Sequence, residues 1–461
     1  MNIKTRTYAL LVGLVFIFLT LAQTFFINYL IPLGLAAFAV SVLNVWIMKK
    51  LANRKLFRLV ASVTAVYVVA EILWMFFDKI GLFVLAQVSF VLIGFVLVAL
   101  GLGIHRKKER NVLSVILGIV KWIALIVLIG VSSLMILLTA TPKPFTSYFQ
   151  SVSGDYNSYE AEEPSTTTII EGNYQLTNNL QYGDNYPRSY LDIMTPAGEF
   201  DQNRPTYFYV HGGGFIAGDK LGGDPNASAS ENSGLYHYKV MIDHGYNVVA
   251  LNYALAPEYT HPTPTKQLTE AVQFMQENGE QYGINMNDVV FAGGSAGGYI
   301  AADFTTIQAN PEYAEEIGIE PVMELEDIKG LVLEVPTLDP TRASKTTKEV
   351  PFSDYIFGQS LAAFLGESLV SPDEDLVEAT NLIPKATSEF PPTFLTDGNT
   401  GSFADQSIDY YNRLTELGVK TELYIPDINE SEEIHGYMST IDSKATKTYV
   451  EKKLKFLDSL N

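Results

Sequence analysis

Five apolar stretches, at roughly 8–27, 29–48, 59–77, 82–103 and 113–139, take up most of the first 140 residues and are joined by short connections. Each has about the 20 residues a helix needs to cross the hydrocarbon core of a bilayer. In that solvent the backbone must be satisfied within helices, so about five transmembrane helices are expected before residue 141. The first stretch follows Lys4 and Arg6 with no small-residue cleavage site before the second, so it reads as a retained anchor. Basic residues gather on alternate loops: Lys4 and Arg6; Lys49, Lys50, Arg54, Lys55 and Arg58; then Arg106, Lys107, Lys108 and Arg110. The intervening loops carry only Lys79. By the positive-inside rule the amino terminus is cytoplasmic, and five crossings place everything after Thr141 outside the cell. Glu71 and Lys121 lie within the apolar stretches, where ionisable groups are costly. They either pair between helices or, the favoured expectation, Lys121 snorkels from a tilted helix while Glu71 meets water or a polar neighbour.

The composition changes abruptly at about residue 140. Of the 31 basic and 51 acidic residues, 13 and 3 lie before Thr141, which leaves 18 and 48 after it, a net charge of −30. Nucleic acid is therefore excluded as a partner of the second region. The chain has no cysteine, which excludes disulfides, thiol nucleophiles and Cys-ligated zinc. Residues 141–165, rich in Ser, Thr, Pro and acids, read as a linker to a domain over 166–461. Strands are expected near 166–170, 189–194, 205–210, 246–252, 288–292, 328–335, 392–397 and 420–425. Helices are expected near 233–244, 266–281, 297–309, 403–417 and 443–459, with a helical cap from 341–390. This alternation implies an α/β fold, a mostly parallel sheet with helices on both faces.

The stretch VVFAGGSAGGYI, residues 289–300, places Ser295 among glycines directly after an apolar β-branched run. It fits GxSxG, in which the glycines permit a strained strand-to-helix turn that lifts a serine above the sheet. Small residues at a close strand-to-helix crossing would give the same pattern. A serine hydroxyl is a weak nucleophile unless a base takes its proton and donors stabilise the oxyanion that forms. Both partners are on offer. PTYFYVHGGGFIAGDK puts Gly212, Gly213 and Gly214 after another strand as a bare-backbone loop, and His435 follows the final expected strand, the only histidine after His261. His237, His244 and His261 lack the paired spacing of a metal site and read as structural, and no phosphate loop or dinucleotide fingerprint occurs.

Taken together, HGGGF, NYALAPE at 252–258, GGSAGG, PPTF and HGY resemble the hormone-sensitive-lipase-like branch of the α/β-hydrolase carboxylesterases, over roughly residues 175–460. The resemblance implies Ser295 as nucleophile, His435 as base, the N–H groups of Gly212, Gly213 and Ala296 as oxyanion hole, and structural roles for Tyr253, Pro257 and Glu258. Two positions depart from that pattern. The residue before the serine, often acidic in the family, is Gly294. The family's catalytic aspartate falls at Gly401, which cannot ionise. Asp397 at the end of its strand is the favoured substitute, since catalytic groups of open α/β sheets gather there. Asp405 follows Ser402 by three residues at a helix start, where capping explains it, and Asp339 precedes a turn proline. A triad lacking its acid is the remaining alternative.

The expected function is a membrane-anchored serine carboxylesterase acting outside the cell on a small-molecule or cell-envelope ester with a short acyl group. It would need no cofactor and no metal. A binding or sensor module on a hydrolase scaffold, or amide hydrolysis or acyl transfer by the same serine, are the alternatives.

Overall fold

The structure, a computed structural model, describes residues 3–460 except 53, 78, 103–111, 161–164, 199, 229–230 and 343. The basic loop residues Arg106, Lys107, Lys108 and Arg110 lie outside the described residues. The chain divides into two compact units, one of Met1–Phe145 with Glu367–Pro372 and one of Thr146–Gly366 with Asp373–Asn461.

The first unit is built from α1 (Ile3–Phe25), α2 (Leu30–Leu51), α3 (Arg54–Phe77), α4 (Ile80–Leu102) and α5 (Val112–Ala140). All five are long and apolar enough to cross a membrane. α4 is the most buried and packs against α1, α3 and α5. A methyl on Gly101 would stand 2.5 Å from Leu10 Cβ, so that glycine lets α1 and α4 approach closely. Glu71 and Lys121 are not paired. Lys121 Nζ donates to the Leu102 carbonyl at 2.7 Å, and Glu71 is buried with neither carboxyl oxygen hydrogen-bonded.

The second unit is a nine-stranded sheet among helices. Its strands are β1 (Thr166–Ile170), β2 (Tyr174–Gln181), β3 (Tyr190–Pro196), β4 (Pro205–Val210), β5 (Asn247–Leu251), β6 (Asn285–Gly294), β7 (Ile328–Glu334), β8 (Thr393–Thr396) and β9 (Thr421–Tyr424). The order across the sheet is β1-β2-β3-β5-β4-β6-β7-β8-β9. The first three pairings are antiparallel and the remaining five parallel. The helices are α6 (Lys143–Ser153), α7 (Ser233–Asp243), α8 (Thr263–Asn278), α9 (Ala296–Ala309), α10 (Pro311–Ile317), α11 (Pro351–Leu365), α12 (Glu374–Ala379), α13 (Ala404–Glu416) and α14 (Lys444–Asp458).

Two expectations are corrected. β2 reads in the sequence as a turn because it carries Asn178 and Asn179. Here Asn179 takes φ 55° at a register shift, and its N–H is held at 2.7 Å by Asp192, so the asparagines make a bulge inside a strand. The stretch read as an irregular linker begins with helix α6, which is fixed by Gln150. That amide donates to the carbonyls of Ile216 at 3.0 Å and Ala256 at 3.1 Å.

Parallel neighbours in such a sheet end on one side, and their following loops meet there. β4 delivers residues 211–214, β6 delivers Ser295, β7 ends in Glu334, β8 is followed by Asp397, and the loop after β9 carries His435. α9 is buried along its whole length, and its first turn presses on the sheet. A methyl on Gly297 would lie 2.0 Å from the Val210 carbonyl oxygen and 2.5 Å from that of His211. Backbone cannot yield as a flexible side chain does. Gly297→Ala is therefore expected to cost about 3 kcal/mol of stability, while Gly130→Ala, with open space around it, leaves the unfolding midpoint of the detergent-solubilised chain unchanged. Equal midpoints for the two variants would show that the crossing is not close-packed.

Candidate active site

Ser295 occupies the turn between β6 and α9 with φ 52° and ψ −115°, a conformation side chains rarely adopt. Neighbours over-determine it: its N–H donates to the Glu334 carbonyl at 2.7 Å, and its carbonyl accepts from Tyr299 N–H at 3.1 Å. The turn points the hydroxyl at His435, with 2.9 Å between Oγ and Nε2. The His435 ring is buried between Phe357 and Phe403, at centroid distances of 4.5 and 5.6 Å. Burial pulls its pKa down to about 4, so the imidazole is neutral at neutral pH and able to accept a proton.

The loop after β4 lies against this turn. A methyl on Gly212 would be 2.9 Å from the Gly294 carbonyl oxygen and 3.4 Å from Ser295 Cβ. Gly213, with φ 117°, has its carbonyl tied by the N–H groups of Ile216 and Ala217 at 3.2 and 3.1 Å. Tyr253 donates to the His211 carbonyl at 3.0 Å and stacks on the His211 ring at 4.3 Å. That clamp fixes the start of the loop. Ala296 opens α9, where first-turn N–H groups have no partner within the helix. Gly212, Gly213 and Ala296 are thus the backbone groups beside the Ser295 hydroxyl.

Asp397 is fully buried at the end of β8. Its Oδ1 accepts from Gly398 N–H at 2.8 Å, from Phe403 N–H at 3.3 Å and, closest, from the Ser402 hydroxyl; its Oδ2 accepts from Ser407 at 2.7 Å. The carboxylate does not bond the imidazole directly. Ser402 Oγ stands 2.9 Å from His435 Nδ1 and fills the place between them. Burial pushes the Asp397 pKa up to about 7 despite the donors that favour the charged form. Sequence reading missed Ser402, since a serine three residues before an aspartate at a helix start signals a cap. The structure gives another arrangement, with Phe403 at the cap position of α13 and no side-chain cap. Asp405 instead meets Arg342 at 3.0 Å, and Asp339 meets the same guanidinium at 2.6 Å, so neither substitute faces His435. At Gly401, φ is 56° and a methyl would lie 3.1 Å from Ser353 Oγ.

Ser295, His435, Gly212 and Gly213 line a cavity of about 440 Å³. Phe149, Ile216, Ile356, Phe357 and Met438 make it largely apolar, with Ser233, His237, Ser439 and Glu334 as polar points. His237 was expected to be structural; its Nε2 contacts the Met438 carbonyl at 3.1 Å within this wall. Among the described residues no three metal-ligating side chains converge.

Glu334 was also missed, and it bears on Gly294. Its carboxylate is buried and is met by the hydroxyls of Tyr449 and Tyr209, the latter at 3.3 Å, and by Lys453 Nζ at 3.3 Å. Burial would raise its pKa, but Lys453, His237 and the Tyr449 hydroxyl outweigh burial and hold it below the usual carboxylate range. A side chain at Gly294 would begin 2.8 Å from the Tyr209 hydroxyl and 3.9 Å from Glu334 Oε2.

A model of the alpha/beta hydrolase fold family matches residues 207–439. Relatives include a protein of Acanthamoeba polyphaga mimivirus named as an alpha/beta hydrolase, 24% identical over 269 residues, which are 56% of this chain and 69% of that protein. Another is the esterase LipI of Mycobacterium tuberculosis, 26% identical over 241 residues, which are 51% of this chain and 66% of that protein. The crystal structure of an inhibited esterase B from Lactobacillus rhamnosis has the same fold, with a TM-score of 0.50 and 19% identity, covering 71% of this chain and 96% of the esterase.

Installing the acid that Gly294 lacks tests the electrostatics. Gly294→Asp places a second buried carboxylate beside Glu334, and like charges raise the pKa of the newcomer. A raised carboxylate is penalised above its folded pKa and unpenalised below its unfolded one. The variant is expected to lose about 1–3 kcal/mol of stability at pH 8 and visibly less at pH 5, read from thermal midpoints. A loss that does not depend on pH would assign the effect to crowding alone.

Proposed function

The chain belongs to the α/β-hydrolase fold family, and on that premise we propose that it is a membrane-anchored serine hydrolase of the carboxylesterase type. Five N-terminal helices hold it in the bilayer, and the second unit works outside the cell. The 2.9 Å contact between Ser295 Oγ and His435 Nε2 carries the reading. In this reading His435 takes the Ser295 proton as Oγ attacks an ester carbonyl. The N–H groups of Gly212, Gly213 and Ala296 bind the oxyanion, and the tetrahedral intermediate expels the alcohol, which takes its proton from His435. The acyl-enzyme is then hydrolysed by water activated at the same imidazole. Asp397 supplies the buried carboxylate of the set. A cavity of about 440 Å³ with apolar walls suits a small ester with a short acyl chain.

Ser295→Ala and His435→Ala are each expected to abolish hydrolysis of p-nitrophenyl butyrate by the full chain, with losses that do not add in the double variant because the two groups act as a unit. Unchanged turnover in Ser295→Ala overturns the nucleophile assignment. Placement is tested separately. Protease added to intact cells is expected to shed the second unit, whose connection at Gly154–Glu160 is mostly exposed. Cleavage only after permeabilisation would put that unit in the cytoplasm.

A further inference from the structure

The contacts around Ser402 fix more than proximity. A serine hydroxyl has one hydrogen to give and lone pairs to accept with. The charged carboxylate of Asp397 has none to give, so the Ser402 hydrogen must point to Asp397 Oδ1. Ser402 Oγ is then left as an acceptor towards His435 Nδ1 at 2.9 Å. The ring proton therefore sits on Nδ1, and the Nε2 lone pair faces the Ser295 hydroxyl, the arrangement a general base requires. We infer that Ser402 is a positioning residue: its hydroxyl relays the Asp397 carboxylate to the imidazole, so that an aspartate out of contact with His435 still selects the ring nitrogen that carries the proton. The inference rests on the proposed roles of Ser295 and His435.

The relay behaves differently from a direct aspartate contact. With direct contact, an asparagine turns its NH₂ towards the ring, imposes the wrong tautomer and costs on the order of 10⁴ in turnover. Here the N–H groups of Gly398 and Phe403 both donate to Oδ1, so an asparagine at 397 must keep its carbonyl oxygen there and place its NH₂ at the Ser407 hydroxyl. Ser402 would still donate to that oxygen, and the tautomer survives while the charge is lost. Removing the Ser402 hydroxyl leaves Nδ1–H and Asp397 without each other. The positioning hydroxyl should thus matter more than the carboxylate charge.

Protonation of Asp397 gives the relay a sign with pH. A protonated carboxyl can donate to Ser402, whose hydrogen then turns to Nδ1 and sends the ring proton to Nε2. The groups facing Asp397 are the hydroxyls of Ser402 and Ser407, the amides of Gly398 and Phe403 and, further off, the Tyr437 phenol. Those facing His435 are Ser295, Ser402 and the Phe357 and Phe403 rings. Burial holds Asp397 near 7 and His435 near 4, so kcat/KM should fall as pH drops through the aspartate range.

The test uses the full chain in lipid, with kcat/KM on p-nitrophenyl butyrate against pH and the His435 tautomer read from ¹⁵N shifts of histidine-labelled protein. The His435 signal is assigned by its loss in His435→Ala. Asp397→Asn is expected to lose about tenfold to a hundredfold, to keep the proton on Nδ1 and to shift its acid limb to lower pH. Ser402→Ala is expected to lose about a hundredfold or more and to lose the tautomer preference. Ser407→Ala, which removes a donor to Asp397 away from the ring, should lose less than Ser402→Ala. A loss near 10⁴ with the proton moved to Nε2 in Asp397→Asn overturns the relay, as does a Ser402→Ala protein equal to the parent, or an acid limb that stays in place in Asp397→Asn. If Ser402→Ala fails to fold, the Asp397→Asn tautomer decides alone. Because that readout needs no turnover, failure of the esterase reading shows instead as a parent chain with the Nδ1 tautomer and no Ser295-dependent hydrolysis.

Discussion

The second unit depends on a crossing in which backbone meets backbone. A methyl on Gly293 would lie 2.2 Å from the Gly297 carbonyl oxygen, and one on Gly297 would lie 2.0 Å from that of Val210. The end of β6, the first turn of α9 and the end of β4 therefore occupy space that admits no side chain. Because α9 must leave the sheet so steeply, Ser295 is forced to φ 52° and its hydroxyl projects above the strand ends. The parallel register pairs Val210 with Gly293, so the glycine loop after β4 begins level with the serine turn. A spacer at a tight crossing and an exposed nucleophile are not competing readings of GGSAGG. The glycines that allow the first produce the second.

Two buried carboxylates near this crossing are treated in opposite ways. Glu334 has a cation, Lys453, and stays below the usual carboxylate range. Asp397 has only hydroxyl and amide donors, and burial wins. The difference matters because a buried ion pair is costly to disturb, whereas a carboxylate held by neutral donors near pH 7 can respond to charge forming on His435. The fixed charge therefore lies under the cavity floor, and the responsive one lies at the end of the hydrogen-bond chain from Ser295.

Most of this arrangement was legible in the sequence where one residue type permits one structure. Glycines flanking Ser295, a triple glycine after β4 and a histidine after the last strand located the cavity, because few local structures need those residues there. Eight strands were found by their apolar runs; β2 was not, since Asn178 and Asn179 mark turns in most settings and here form a bulge. Ser402 and Glu334 were illegible for a different reason. A serine before a helix usually caps it, and a glutamate at a strand end usually faces water. What they do depends on partners far along the chain, His435 and Lys453, and no local pattern encodes those meetings.

Charge makes a related distinction between the two units. Arg6 Nε donates to the Gly101 carbonyl at 3.3 Å and Lys121 Nζ to that of Leu102 at 2.7 Å, so two basic side chains meet the carboxyl-terminal end of α4. A helix end carries partial negative charge, and cations are stabilised there. The basic residues of the first unit thus serve carbonyls at one helix end, the end from which the loop bearing Arg106 and Lys107 departs. The residues after Thr141, with 18 basic against 48 acidic, are repelled by anionic headgroups. Adsorption to a lipid surface is unavailable to such a unit. Under the proposed topology only the apolar helices can keep it at the membrane.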